Sequence, residues 1–325
     1  MAGRMASQWG LGILANSGDN DTPDWGTTRF GQDSSFGDVV DRVLFAAAPL
    51  LYFVGADWAS RLIVAVGADV VVRDERIDRA LGDLAGEAIG VVRYAHKGNE
   101  AGVYVAYRDL RDRHNDTLNV TAIDFYGRGT FRMGDFDVMA VGEVAWVTGD
   151  TTWGRSAGCT GTLDVAQLGY VARAGATHRP TALGGDVELG YASGDTNPFD
   201  CNLRNLTFDP DYNPSLILFD ELRAAGTVAA EANVADPARV GVPPDSARLL
   251  PTGGAVSNAI YVRPTVRYRW QDVGARLSIL WARAEENVVD PYNTTLSSAG
   301  GDNPLNFQGG NGANKDLGVE VNVGV

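Results

Sequence analysis

Over residues 260–270 the chain changes character at every step. Ile260, Val262, Pro264, Val266, Tyr268 and Trp270 alternate with Tyr261, Arg263, Thr265, Arg267 and Arg269. Successive side chains of an extended strand point to opposite faces, so a period of two makes a sheet with one oily and one polar surface. The same period recurs elsewhere, in paired segments joined by very short turns. Residues 117–133 turn at Gly134-Asp135 and return through 136–148. Residues 161–175 turn through 176–180 and return to Ser193. Residues 258–270 turn at 271–273 and return through 274–284, and 87–96 pairs with 101–110 across 97–100.

Between these hairpins lie long connections rich in Gly, Asn, Asp and Pro, near 15–37, 149–160, 194–257 and 287–315. Loops of that length sit poorly in a compact soluble domain. Short turns alternating with long loops fit a transmembrane barrel with short turns at one end and long loops at the other. Composition agrees: mean hydropathy is -0.11 and only 9% of residues are aromatic. No apolar run reaches the roughly 18 residues that a spanning helix needs, and the best, 44–54, is interrupted by Pro49. A barrel strand needs only about 9–11 residues, apolar at alternate positions. The expected fold is therefore all-β, a transmembrane antiparallel up-and-down β-barrel with about 12 strands in this single-domain chain. Residues 62–72 are apolar enough for a strand, and 74–87 could form a short helix. One extra strand there breaks the up-down parity, so 59–86 is read as a further external loop.

The faces follow from the alternation. Thr121, Ile123, Phe125 and Phe131 point one way, as do Val187 and Leu189, Leu277, Ile279 and Trp281, and Val319, Val321 and Val323. Opposite them come Asp124, Tyr126, Arg128 and Arg132, Asp186 and Glu188, Arg276 and Ser278, and Glu320 and Asn322. Closing the sheet with its oily face outward removes the unpaired edges and needs no covering layer. The candidate lumen and selectivity residues are then Arg128, Arg132, Arg173, Arg263, Arg267, Arg269 and Arg276, with the acids Asp124, Glu143 and Glu188. Two outcomes are open for these arginines: pairing with the acids to fill a polar interior, or a cationic ladder that favours anions. The formal charge of -14 and pI of about 4.6 argue against a nucleic-acid partner. Lys97 and Lys315 are the only lysines, so the positive charge is almost all guanidinium, the better group for carboxylates and phosphates.

Gly3-Arg4-Met5 followed by Trp9-Gly10-Leu11-Gly12 resembles an early barrel strand of the alginate-export family of outer-membrane porins. So does Gly190-Tyr191-Ala192-Ser193-Gly194-Asp195, followed by Asn197-Pro198 and by Phe208-Asp209-Pro210-Asp211-Tyr212. The resemblance covers the start and part of the middle of the chain. It implies a large antiparallel barrel of about eighteen strands, with an arginine-lined lumen for a polyuronate or other anion and with Arg263, Arg267 and Arg269 facing it. About twelve strands, no apolar leader after Met1 and no aromatic residue at the end of 322–325 lead to the expectation of a piece of a barrel of 14–18 strands. The native N- and C-terminal segments would then lie outside this sequence.

Enzyme chemistry finds little footing. His96 and His178 fall at the short-turn end and His114 at the other, so they do not converge on a metal or a nucleophile. Asp19-Asn20-Asp21 and Asp209-Pro210-Asp211 could bind calcium, without the closing glutamate of an EF-hand. Cys159 and Cys201 fall in loops on the same side, where an oxidising compartment permits a disulfide. Leu216, Ile217, Leu218 and Phe219 are too apolar for a free loop, so the 194–257 connection is expected to fold over or into the mouth. The expected function is passive diffusion or export of small anionic or carbohydrate-like solutes across an outer membrane, in contact with its lipid and lipopolysaccharide. The alternative is a structural or adhesive surface barrel with a plugged lumen and partner-binding loops.

Overall fold

The computed structural model describes residues 1–18, 37–54, 56–154, 159–198, 200–212, 214–239, 252–270, 273–297, 305–307 and 309–325. It is all-β, one sheet in which each long strand pairs antiparallel with its sequence neighbours. In chain order the strands are β1 (Ala2–Ala6), β2 (Val39–Ala47), β3 (Leu62–Arg73), β4 (Leu84–His96), β5 (Asn99–Arg111), β6 (Thr117–Met133), β7 (Phe136–Thr151), β8 (Leu163–His178) and β9 (Leu183–Ala192). They continue through the two-residue β10 (Asn202–Leu203) to β11 (Ala259–Trp270), β12 (Val273–Arg283) and β13 (Asp316–Gly324). β10 lies off the path and pairs parallel with β8. Among the described residues β1 and β13 each have a neighbour on one side only.

The turns explain the up-and-down order. Lys97 and Gly98 both take positive φ, 50° and 81°, the geometry that lets a two-residue hairpin follow the sheet's twist. β4–β5, β6–β7, β8–β9 and β11–β12 all reverse at this end. The opposite end carries the long connections, including a π-helical turn (Ile217–Leu222) that runs into α1 (Arg223–Ala235), and the short α2 (Pro291–Ser297). Among the described residues no helix is long and apolar enough to cross a membrane.

Four expectations are corrected. The stretch 59–86 is not one external loop, because Leu62–Arg73 is strand β3, paired with β2 and β4 along its length. Parity survives because the link 48–61, folded as two 3-10 turns, lies at the short-turn end. The helix expected over 74–87 shrinks to the 3-10 turn Arg79–Leu81. Trp9-Gly10-Leu11-Gly12 is not part of a strand either. Gly10 and Gly12 take φ of 55° and 84°, which turns the chain out of the extended region and onto the inner face of the sheet. The β8–β9 turn also falls later than 176–180, at 179–182, since β8 runs on to His178.

The two faces have inverted polarity. Outward lie Val144, Trp146, Val187, Leu189, Val266, Tyr268, Leu277, Ile279, Trp281, Val319 and Val321, all exposed. Inward lie Asp124, Glu143, Asp186, Glu188, Arg173, Arg263 and Ser278, all buried. One apolar cluster on the inner side joins Ile13, Phe208, Tyr212, Leu218 and Phe219 to Ala145 and Val147 of β7, Val171 of β8, Tyr261 of β11 and Leu280 of β12. Thus 7–16, 206–212 and 214–222 fold back against this face and bury what a bare sheet would leave wet.

Candidate functional site

β8, β9, β11 and β12 bring four guanidiniums and two carboxylates together on the inner face. Arg173 donates from Nε to Asp186 at 2.8 Å and from Nη2 to the other carboxylate oxygen at 3.3 Å. Arg267 pairs with the same Asp186. Arg263 donates from Nη2 to Glu188 at 2.6 Å and from Nη1 to the Pro214 carbonyl at 2.7 Å. Glu188 also accepts from the Tyr261 hydroxyl at 2.8 Å and the Tyr212 hydroxyl at 3.0 Å. Arg276 stands across the β11–β12 ladder from Arg267. Asp186 and Glu188 thus share the inner face with Arg173, Arg263, Arg267 and Arg276, a concentration of guanidinium in a chain that is acidic as a whole. Removing either partner of a buried, hydrogen-bonded pair leaves the other charge uncompensated. Burial pushes the Tyr212 phenol well above its ordinary value, so it stays protonated and donates.

Asp124 and Glu143 lie elsewhere and do a different job. Trp9 Nε1 donates to Asp124 at 3.1 Å, and the backbone amides of Leu11 and Ile13 donate to Glu143. Trp9 stacks on Tyr104 of β5 at 5.5 Å. Both acids therefore hold the inserted 7–16 segment rather than facing open water. A side chain at Gly10 would collide with the Glu143 carboxylate, which fixes glycine there. Glu320 of β13 plays the same part for the second insert, accepting from the amides of Leu216, Ile217 and Leu218 at 2.8, 3.2 and 2.7 Å.

Three expected lumen residues stand apart from the arginine group. Arg132 is at the short-turn rim, its side chain 75% exposed beside Asp137. Arg269 is exposed at the same rim. Arg128 is half-buried opposite Glu100 on β5. The other inward arginines mostly meet acids, Arg42 with Asp69 at 2.6 Å and Arg108 with Glu87 at 3.4 Å. Sequence reading missed Trp9 and Tyr212 as occupants of the interior. Strand alternation gives no signal for them, since both belong to connections.

At the long-connection end, Asp38, Glu75 and Asp209 converge, with one oxygen from each within 4.8 Å of the others, close enough to share a cation. Asp38 is pushed up to about 10 by desolvation first, then by Glu75, Asp209 and Asp74, while the Asn16 amide opposes the shift. Of the calcium candidates, Asp209 enters this cluster; Asp19-Asn20-Asp21 lies outside the described residues. Cys159 and Cys201 form a disulfide, with Cα atoms 5.0 Å apart, that joins the β7–β8 connection to the segment after β9. His96 and His178 sit at the short-turn end, beside Arg61 and Thr181 respectively, and His114 lies in the 112–116 link at the other.

Comparison with protein-family models, with curated proteins and with solved structures finds no match to this chain.

Proposed function

We propose that the sheet is the wall of an outer-membrane β-barrel that passes small anionic or sugar-like solutes along its arginine-bearing inner face, past the two inserts. One observation carries this reading: the polar side is the buried side. Water rewards the reverse arrangement, whereas hydrocarbon outside and a polar interior account for it directly. From Val273 to Trp281 the outward positions of β12 are all apolar, about 26 Å at roughly 3.3 Å per residue. That is close to the height of a barrel's lipid-facing band, about 25 Å. The concentration of guanidinium on this face favours anions, as basic rings do in other pores.

The inserted segments favour a second reading, a surface barrel plugged by 7–16, 206–212 and 214–222 whose loops bind partners. Planar-bilayer recording separates the two. Under the first, the purified protein gives small, stable steps whose reversal potential in a salt gradient favours the anion, and Arg267→Ala with Arg276→Ala lowers that preference. Absence of current from inserted protein removes the transport reading and leaves the plugged one.

A further inference from the structure

Beneath the long connections lies a cavity of about 140 Å3 that none of the residues above accounts for. Cavities of this measure hold one water per roughly 10–15 Å3, so it has room for on the order of ten. Its wall is part apolar, with Leu163, Val288 and Phe307, and part polar, with Gln167 of β8, Asn205, Thr207, Thr252 and Ser257. The polar groups are already tied into a small network, which fixes their orientation. Gln167 Nε2 donates to the Asn205 carbonyl at 2.8 Å, and Asn205 Nδ2 and the Thr207 hydroxyl both reach the Ser257 hydroxyl at 3.0 Å.

Two guanidiniums reach this wall: Arg76, paired with Glu75 at 3.4 Å, and Arg223, which meets no carboxylate among the described residues. Arg223 donates from Nη2 to the Ser257 carbonyl at 3.0 Å, while its Nε is buried with no hydrogen-bond partner among the described residues. Desolvation alone holds Arg223 down to about 10, with no carboxylate offsetting it, in contrast to Arg173 and Arg263. Asp195, the acid on the same wall, is occupied with the backbone amides of Asn197 and Arg204 at 3.0 and 3.2 Å. A guanidinium with a dry Nε and no anionic partner among the described residues, at the edge of a roomy cavity, is expensive unless something fills that place.

We propose that this cavity is a binding site for a small monoanionic hydroxycarboxylate, with the carboxylate on Arg223 and the hydroxyls on the amide and hydroxyl wall. One uncompensated positive charge matches one negative charge, whereas a dianion would leave an unpaired charge in the cavity. The wall's spare donors and acceptors suit hydroxyl groups, which both give and receive. The site goes beyond the passage proposed above, because capture here requires no conduction.

The test is equilibrium binding of glycerate to the detergent-solubilised full chain, by calorimetry at low salt, with glycerol, propionate and inorganic phosphate as comparison probes. Saturable glycerate binding is expected, at least tenfold tighter than glycerol, propionate or phosphate. Arg223→Gln should weaken it at least tenfold and Arg223→Lys less, while both variants keep the wild-type circular dichroism. Since Arg223→Gln removes an unpaired buried charge, its thermal midpoint should equal or exceed that of the wild type. Thr252→Val, which removes a hydroxyl from the cavity wall, should weaken glycerate but not propionate. No saturable glycerate binding, equal binding by Arg223→Gln, or tighter binding of phosphate overturns the proposal. A fall in midpoint for Arg223→Gln with binding intact overturns it equally, by assigning the guanidinium to structure. Loss of bilayer current in a protein that still binds glycerate would count against the passage and not against this site.

Discussion

Glu143 sits in the middle of β7, buried, and accepts the amides of two residues more than a hundred positions earlier in the chain, Leu11 and Ile13. A carboxyl group that accepts turning backbone amides in a dry interior is a local anchor, because those amides have no water to turn to. Glu143→Leu removes both acceptors without changing the outward face. Amide exchange at Leu11 and Ile13 is expected to speed up by roughly tenfold or more, at about 1–3 kcal/mol for the bonds lost, while exchange in β12 stays the same. Unchanged protection would mean that packing around Trp9 alone holds the segment. Asp38 gives a second test. Its folded value of about 10 lies far above the ordinary carboxylate value of 3.8. The folded state therefore binds a proton that the unfolded state lacks between about pH 4 and pH 10. The stability tied to that proton is complete below pH 4 and falls as pH rises through 10. Asp38→Asn should stabilise the protein at pH 8 and change little at pH 4, measured by urea unfolding with a chelator present. A constant difference across that range would refute the assignment.

At the scale of elements, the disulfide between Cys159 and Cys201 closes 42 residues of chain that include β8, β9 and their hairpin turn. Loop-closure entropy assigns such a link about 4 kcal/mol. Cys159→Ser should lower the denaturant midpoint and expose the 194–212 segment to protease before the sheet opens, as peptide mapping of early fragments would reveal. Cleavage beginning within β8 or β9 would contradict this. Strands of this kind are legible in sequence where alternation and a short turn coincide, as at Lys97-Gly98 and Gly134-Asp135. β3 escaped because its alternation is weak, with Val64, Ala65, Val66 and Gly67 in succession, and because the 48–61 link does not look like a turn. The interior occupants escaped for another reason. Alternation reports which way a side chain leaves the sheet; it contains nothing about which connection comes back to meet it. Gly190 shows the limit well: a side chain there would run into the Tyr261 ring, a neighbour 71 positions away that no local pattern announces.

For the whole molecule, the proposed barrel predicts that lipid meets the apolar face. In vesicles of brominated phospholipid, single-tryptophan variants retaining Trp146 or Trp281 should be strongly quenched, because both side chains are exposed on the outward face. A variant retaining Trp9, buried against Asp124 and Tyr104, should not be. Equal quenching at all three positions would dispose of the outward belt. The cross-strand ion pairs carry one more consequence. Arg4 faces Asp41, Arg42 faces Asp69, Arg108 faces Glu87, Arg132 faces Asp137 and Arg263 faces Glu188, each directly opposite in its ladder. Oily alternation forbids a slip of one position, since that turns every side chain over, but it is blind to a slip of two. A two-residue slip would carry each of these charges about 7 Å from its mate, so the guanidiniums work as a vernier, telling apart alignments of neighbouring strands that hydrophobicity alone would accept equally.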